Sequence, residues 1–135
     1  MCCMKIPVEI DALDHLVLTV RDVGVTLRFY EEVLGMRAVS FGEGRHALHF
    51  GAQKLNLHDA ARPVDANVRH ATPGSADFCL LTRTPLADVA AHLAACGVAI
   101  LIGPVRRTGA RGAIDSLYFH DPDENLVEVA NEVAG

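Results

Sequence analysis

Leu13-Asp14-His15-Leu16-Val17-Leu18-Thr19-Val20 opens the stretch that decides the fold, and Arg21-Asp22 and Val23 to Gly35 complete it. The first eight residues are apolar, β-branched and of strand length. From Val23 the apolar residues change spacing to Val25, Phe29, Val33 and Leu34, which is helical. Asp22 stands where a carboxylate can accept the orphan N–H groups of a first helical turn. Gly35 stands where a helix ends in the left-handed region, which glycine enters without a Cβ penalty.

The same grammar recurs. Asp77-Phe78-Cys79-Leu80-Leu81-Thr82 reads as a strand, Thr84-Pro85 as a helix start, Pro85 to about Cys96 as a helix and Gly97 as its end. Asp22 and Thr84 lie 62 residues apart, and so do Gly35 and Gly97. Three strand-like segments follow each helix. They run roughly over 36–41, 45–50 and 53–58 in the first half, and over 98–107, 114–120 and 126–131 in the second. The turn-rich stretch 59–75 joins the halves, with Pro63, Pro73 and Gly74 as breakers. The pattern predicts an α+β fold of two βαβββ modules, about 10–60 and 75–133, whose sheets curve around a cleft. Each half is too small to be stable alone, so the two should pack as one domain over 10–133.

Composition narrows the function. The chain has 135 residues, of which 50% are hydrophobic and 21% charged, and its formal net charge is -5. No basic run marks a nucleic-acid partner, and no apolar stretch is long enough to cross a membrane. Residues 1–5 lack the apolar core of a signal peptide. Cys2, Cys3, Cys79 and Cys96 show neither a disulfide framework nor paired CxxC spacing. These features point to a reducing, cytoplasmic compartment, with Cys96 expected as a small buried hydrophobe.

The repeat also carries chemistry. Asp77 lies 62 residues after His15. Alternation puts His15, Val17 and Thr19 on one face and the more apolar Leu16, Leu18 and Val20 on the helix side. In Lys54-Leu55-Asn56-Leu57-His58 the leucines share one face and Asn56 and His58 the other. In Asn125-Leu126-Val127-Glu128-Val129, Glu128 is the ionisable residue of an apolar run. Each half thus offers a polar group on its first strand and another on its last: His15, His58, Asp77 and Glu128. Two imidazoles and one or two carboxylates suit a divalent metal such as Zn²⁺, Ni²⁺, Fe²⁺ or Mn²⁺, while Asp77 taken alone could equally cap a turn. Taken singly, a strand histidine is more often structural than a ligand. His46, His49, His70 and His92 have no symmetry relation of this kind, and His92 should lie on the surface of the second helix. Asp121-Pro122-Asp123-Glu124-Asn125 reads as a tight turn that aims Glu128. The stretch 103–112 reads as a flexible basic loop, with a possible use as a lid carrying Arg107 or Arg111 to an anionic substrate.

Residues 14–20 with Phe29-Tyr30-Glu31-Glu32-Val33-Leu34-Gly35-Met36, and Tyr118 to Val129 with its Asp-Pro-Asp turn, resemble the opening and closing motifs of the vicinal oxygen chelate (glyoxalase) superfamily. Residues 53–58 and 72–77 are similar to its glyoxalase-domain-containing 5 type, which has bacterial virulence-associated members. The resemblance spans nearly the whole chain. It implies a metal at His15, His58, Asp77 and Glu128, with Glu128 also moving a proton. It further implies substrate contacts from Arg107 and Tyr118, and a homodimer. The site would lie either within one chain or between two. Three departures stand out. Glu124 replaces the usual turn glycine, His58 stands where glyoxalase I has Glu, and Asp77 stands where it commonly has His. The implied function is a metal-dependent lyase or isomerase acting on a small oxygenated molecule. The alternatives are a metal-free binding or resistance protein, which the 5% aromatic content disfavours, and a thiol transferase of the fosfomycin-modifying type.

Overall fold

The computed structural model describes residues 5–134. The first module runs β1 (His15–Val20), α1 (Val23–Leu34), β2 (Arg37–Phe41), β3 (Arg45–Phe50) and β4 (Gln53–Asp59). The second runs β5 (Asp77–Leu81), α2 (Leu86–Ala95), β6 (Ile102–Gly109), β7 (Gly112–His120) and β8 (Leu126–Glu132). Each module is one four-stranded sheet, ordered β1-β4-β3-β2 and β5-β8-β7-β6. The first and last strands of each module pair in parallel, which the helical crossover permits, and the remaining pairs are antiparallel.

Local chemistry explains the first helix. The Asp22 carboxylate accepts the Val25 N–H at 3.0 Å, and Gly35 closes the helix at φ 66. The second helix corrects the expectation for Thr84. Its N-cap position is Pro85, which offers no side-chain acceptor, and the helix begins at Leu86. The missing cap comes from β8, where the Asn131 amide oxygen accepts the Leu86 N–H at 3.0 Å. The same Asn131 donates to the carbonyls of Thr82 and Thr84. One side chain from the last strand therefore organises the start of α2.

Three further expectations change. Residues 98–101 are not strand, and β6 starts at Ile102. The stretch 103–112 is not a loop, because most of it pairs with β7 and only a two-residue turn joins the strands. Its glycines, proline and arginines read as loop by composition, yet the ladder to β7 overrides that preference. Cys96 is exposed, with its thiol 3.5 Å from Nε2 of His92. His92 lies on the surface, as expected, and bonds the Glu32 carbonyl of the first module at 2.9 Å.

The two modules share their apolar interior. Leu18, Val20, Leu55 and Leu57 pack with Tyr30 and Leu48, and Phe78 and Leu80 of β5 lie against this cluster. In return Val33 of α1 belongs to the cluster of Leu93, Leu117, Phe119, Val127 and Val129. The helix-side faces of both sheets therefore turn toward common packing, and the opposite faces turn away from it.

A buried polar clamp ties the halves together. The Tyr30 hydroxyl on α1 donates to the Asp121 carboxylate at 2.7 Å. That carboxylate also accepts the backbone N–H groups of Asp123 and Asn125, each at 2.9 Å, and the Asn125 amide at 2.8 Å. Asn125 in turn accepts the Ala76 N–H, and Asp123 accepts the Arg21 N–H. Burial, and then the charge of Asp121, push the Tyr30 phenol far above its ordinary pKa, so it stays a donor. Glu124 holds the left-handed turn position at φ 67. Gly74 approaches this turn so closely that a Cβ would lie 2.5 Å from the Asp123 carbonyl oxygen. The 121–125 turn thus does more than set the register of β8; it joins the modules.

Candidate functional site

Each sheet presents one open face. On the first, the register places His15 beside Lys54, Val17 beside Asn56 and Thr19 beside His58. On the second, Asp77 lies beside Leu126 and Cys79 beside Glu128. Side-by-side residues of neighbouring strands share a face. His15, Asn56 and His58 therefore face one way on the first sheet, and Asp77, Cys79 and Glu128 share the open face of the second.

The register changes one correspondence. Glu128 lies two residues beyond the partner of Asp77. The residue two beyond the partner of His15 is Asn56. His58 is four beyond it, about 13 Å along the strand at roughly 3.3 Å per residue. The symmetry that pointed to His58 therefore falls on Asn56. Asn56 is 5% exposed, and its Oδ1, like Nδ1 of His58, is buried with no hydrogen-bond partner among the described residues.

His15 is oriented for a ligand. Its Nδ1 lies 2.8 Å from the Asp14 carboxylate. A carboxylate can only accept here, so Nδ1 carries a proton, and in the neutral imidazole the lone pair is on Nε2. The hydrogen bond to His15 lowers the Asp14 carboxyl below its ordinary range.

Glu128 is also held. The Ser116 hydroxyl, itself fully buried, donates to its carboxylate at 2.5 Å. Cys79 sits alongside. Partial burial, then the Glu128 charge and a hydrogen bond to it, push the Cys79 thiol up to about 11. At pH 8 roughly a thousandth of it is thiolate. Alkylation with iodoacetamide at pH 8, followed by peptide mass spectrometry, should therefore modify Cys96 well before Cys79. Glu128→Gln should speed Cys79 labelling; equal rates in the two proteins would contradict this electrostatic account.

A cavity of about 410 Å³ opens beside Glu128, lined by Cys79, Leu81, Arg107, Ile114 and Tyr118. Three arginines lie on this hairpin. Arg106 pairs with Asp115 at 2.6 Å, and Arg111 makes a two-pronged bond to Glu132. Arg107 instead donates to the Tyr118 hydroxyl at 3.2 Å, and its guanidinium carbon lies 5.6 Å from the Tyr118 ring centre. Among the described residues it alone of the three has no carboxylate partner. The strand, not a lid, carries it to the cavity.

The structure brings Asp77 and Glu128 onto one open face, with Arg107 and Tyr118 beside Glu128. It leaves His15 on the other sheet. Among the described residues no group of three or more His, Cys, Asp or Glu side chains is close enough to hold a metal ion. The donor types still suit one, since an anchored imidazole and a held carboxylate are common ligands of divalent ions. Asp14 and Ser116 went unnoticed in the sequence. The only sign of Asp14 was its adjacency to His15.

Comparison with known proteins agrees with this architecture. The model of the Glyoxalase/Bleomycin resistance protein/Dioxygenase superfamily matches residues 12–129. The chain belongs to this superfamily. Virulence protein STM3117 of Salmonella typhimurium is 52% identical over 129 residues, covering 96% of this chain and 90% of that protein. Glyoxalase domain-containing protein RDO1 of Mycosarcoma maydis is 44% identical over 123 residues, covering 91% and 69%. The solved integron cassette protein VCH_CASS1 of V. cholerae superposes with a TM-score of 0.92 at 52% identity, covering 95% of this chain and 100% of that one. No helix among the described residues is long and apolar enough to cross a membrane.

Proposed function

We propose that this superfamily member is a metal-dependent enzyme of the lyase or isomerase type acting on a small oxygenated molecule. Its site forms where the His15 face of one copy meets the Asp77–Glu128 face of a second. The observation that carries this reading is the placement of an anchored imidazole and a held carboxylate on two open faces of one repeat, each incomplete alone.

Charge on the two faces is unequal. The open face of the first sheet carries Arg37, Arg45 and Lys54, and that of the second carries Asp77 and Glu128, with Arg107 beside them and Glu132 paired with Arg111. Val17 and Leu81, 40% and 55% exposed, add apolar surface for a partner to cover. His15 Nε2 and the carboxylates of Asp77 and Glu128 would hold the ion. A bound Zn²⁺, Ni²⁺, Fe²⁺ or Mn²⁺ supplies Lewis-acid polarisation of a substrate oxygen. The chain's own groups do the rest. Glu128 takes and returns a proton at a carboxylate oxygen while Ser116 fixes its orientation. Arg107, steadied by Tyr118, meets an anionic part of the substrate. The reading places the enzyme in the cytoplasm as a homodimer.

Elemental analysis of protein purified without a histidine tag is the test. About one equivalent of divalent transition metal per chain is expected, either as purified or after loading. No bound metal and no uptake would sink the proposal in favour of metal-free binding.

A further inference from the structure

We infer that a second cavity, at the seam between the modules, binds a small hydrophobic amine, with an ammonium group at Asp88 and a hydrocarbon body against apolar walls. This cavity is separate from the one beside Glu128 and needs no metal there.

Shape is the first observation. A cavity of about 320 Å³ opens where the modules meet. Val33, Met36 and Phe50 wall it from the first module, and Leu80, Val89 and Val129 from the second. Leu81 is the one lining residue it shares with the cavity beside Glu128. Its volume is that of a small ligand pocket. The walls suit a compact hydrocarbon, and Phe50 and Met36 suit an aromatic one.

Charge is the second. Asp88 is the only carboxylate that lines the cavity, and no lysine or arginine lines it. Among the described residues Asp88 makes no ion pair. Hydrogen-bond polarity is the third. His92, one helical turn beyond Asp88, stands on the same rim. Its Nε2 donates to the Glu32 carbonyl at 2.9 Å, so in the neutral imidazole Nδ1 is an acceptor. The ionisable groups of the rim are therefore acceptors, while the hydroxyls of Thr82 and Thr84 can serve in either role. An ammonium, which only donates, complements such a rim. A ligand carboxylate would meet Asp88 with like charge. Asp88 also stands in the first turn of α2, where a carboxylate favours the helix dipole. That role by itself predicts no choice among ligands, so selectivity separates the two.

The test is titration of isotope-labelled protein with phenethylamine, phenethyl alcohol and hydrocinnamate, followed by amide NMR. The three probes share one hydrocarbon body and differ in the charge of the head. The amine should bind at least about threefold tighter than the alcohol, and at least about tenfold tighter than the carboxylate. Amide shifts should centre on residues 33–36 and 80–92. Asp88→Asn should bring the amine down to the alcohol and leave the alcohol unchanged. Val89→Trp, which fills the cavity, should abolish binding of both. Should tryptophan disturb the fold, the comparison with Asp88→Asn decides alone. Equal affinity for the three probes, or an amine preference that survives Asp88→Asn, overturns the inference. Shifts centred instead on residues 114–118 and 126–132 around Glu128, or no binding at all, overturn it too.

Discussion

Asp121→Ala should destabilise the protein by about 3–5 kcal/mol, one of the largest effects expected of any single substitution in this chain. Asp121 is 5% exposed and accepts four hydrogen bonds, one of them from a residue 91 positions away. Alanine removes the acceptor and leaves the Tyr30 hydroxyl, two backbone N–H groups and the Asn125 amide to find partners in a dry interior. Stranding such donors costs more than a lost hydrogen bond at the surface, because the full desolvation of each group is exposed. The change also releases the turn that aims β8, so the damage reaches Glu128. Tyr30→Phe removes one of the four bonds and should cost about 1–2 kcal/mol. Asp115→Ala, which breaks the solvent-exposed pair with Arg106, should cost less than either. Urea unfolding of the three variants checks the order. A loss below about 1 kcal/mol for Asp121→Ala would show that the clamp does not hold the modules together.

Mixing His15→Ala protein with Glu128→Gln protein should restore metal binding that neither variant has alone. If a site takes its first half from one copy and its second from another, each mixed dimer contains one intact site. That site pairs the unaltered β1 face of the Glu128→Gln chain with the unaltered β8 face of the His15→Ala chain. Each variant by itself should lose at least about 100-fold in metal affinity, since a change one shell further out already costs tens of fold. Co-expression of differently tagged chains and isolation of the mixed species should give about one metal per dimer, half the wild-type content. A site confined to one chain would give none, because every chain would then carry a broken site. The experiment thus separates the two arrangements that the sequence left open. The proposed function uses the shared one; within one chain both helix-side faces are turned into common packing and the two open faces point away from it.

Much of this was legible in the sequence because it is local. Strand alternation sorts side chains to two faces within a few residues. Capping chemistry at Asp22 and Gly35 acts within one turn, and the same pattern repeated after Asp77. These features determined the two βαβββ modules and placed His15 and Glu128 on the faces away from the helices. Tertiary structure decided what depends on partners far along the chain. Asn56 and His58 have the same parity on β4, so alternation puts both on one face; the parallel register with β1 sets Asn56 beside Val17 and His58 beside Thr19. The start of α2 looked self-capped at Thr84, but its acceptor arrives from Asn131 on β8. Residues 103–112 look like a loop until β7 supplies the hydrogen bonds that make most of them strand. Cys96 fits an apolar helix pattern, but its thiol stays exposed beside His92 and the Glu32 carbonyl of α1. Local spacing tells which way a side chain points, while its neighbours are set by strand register and module packing, which satisfy backbone and apolar surface over the whole chain at once.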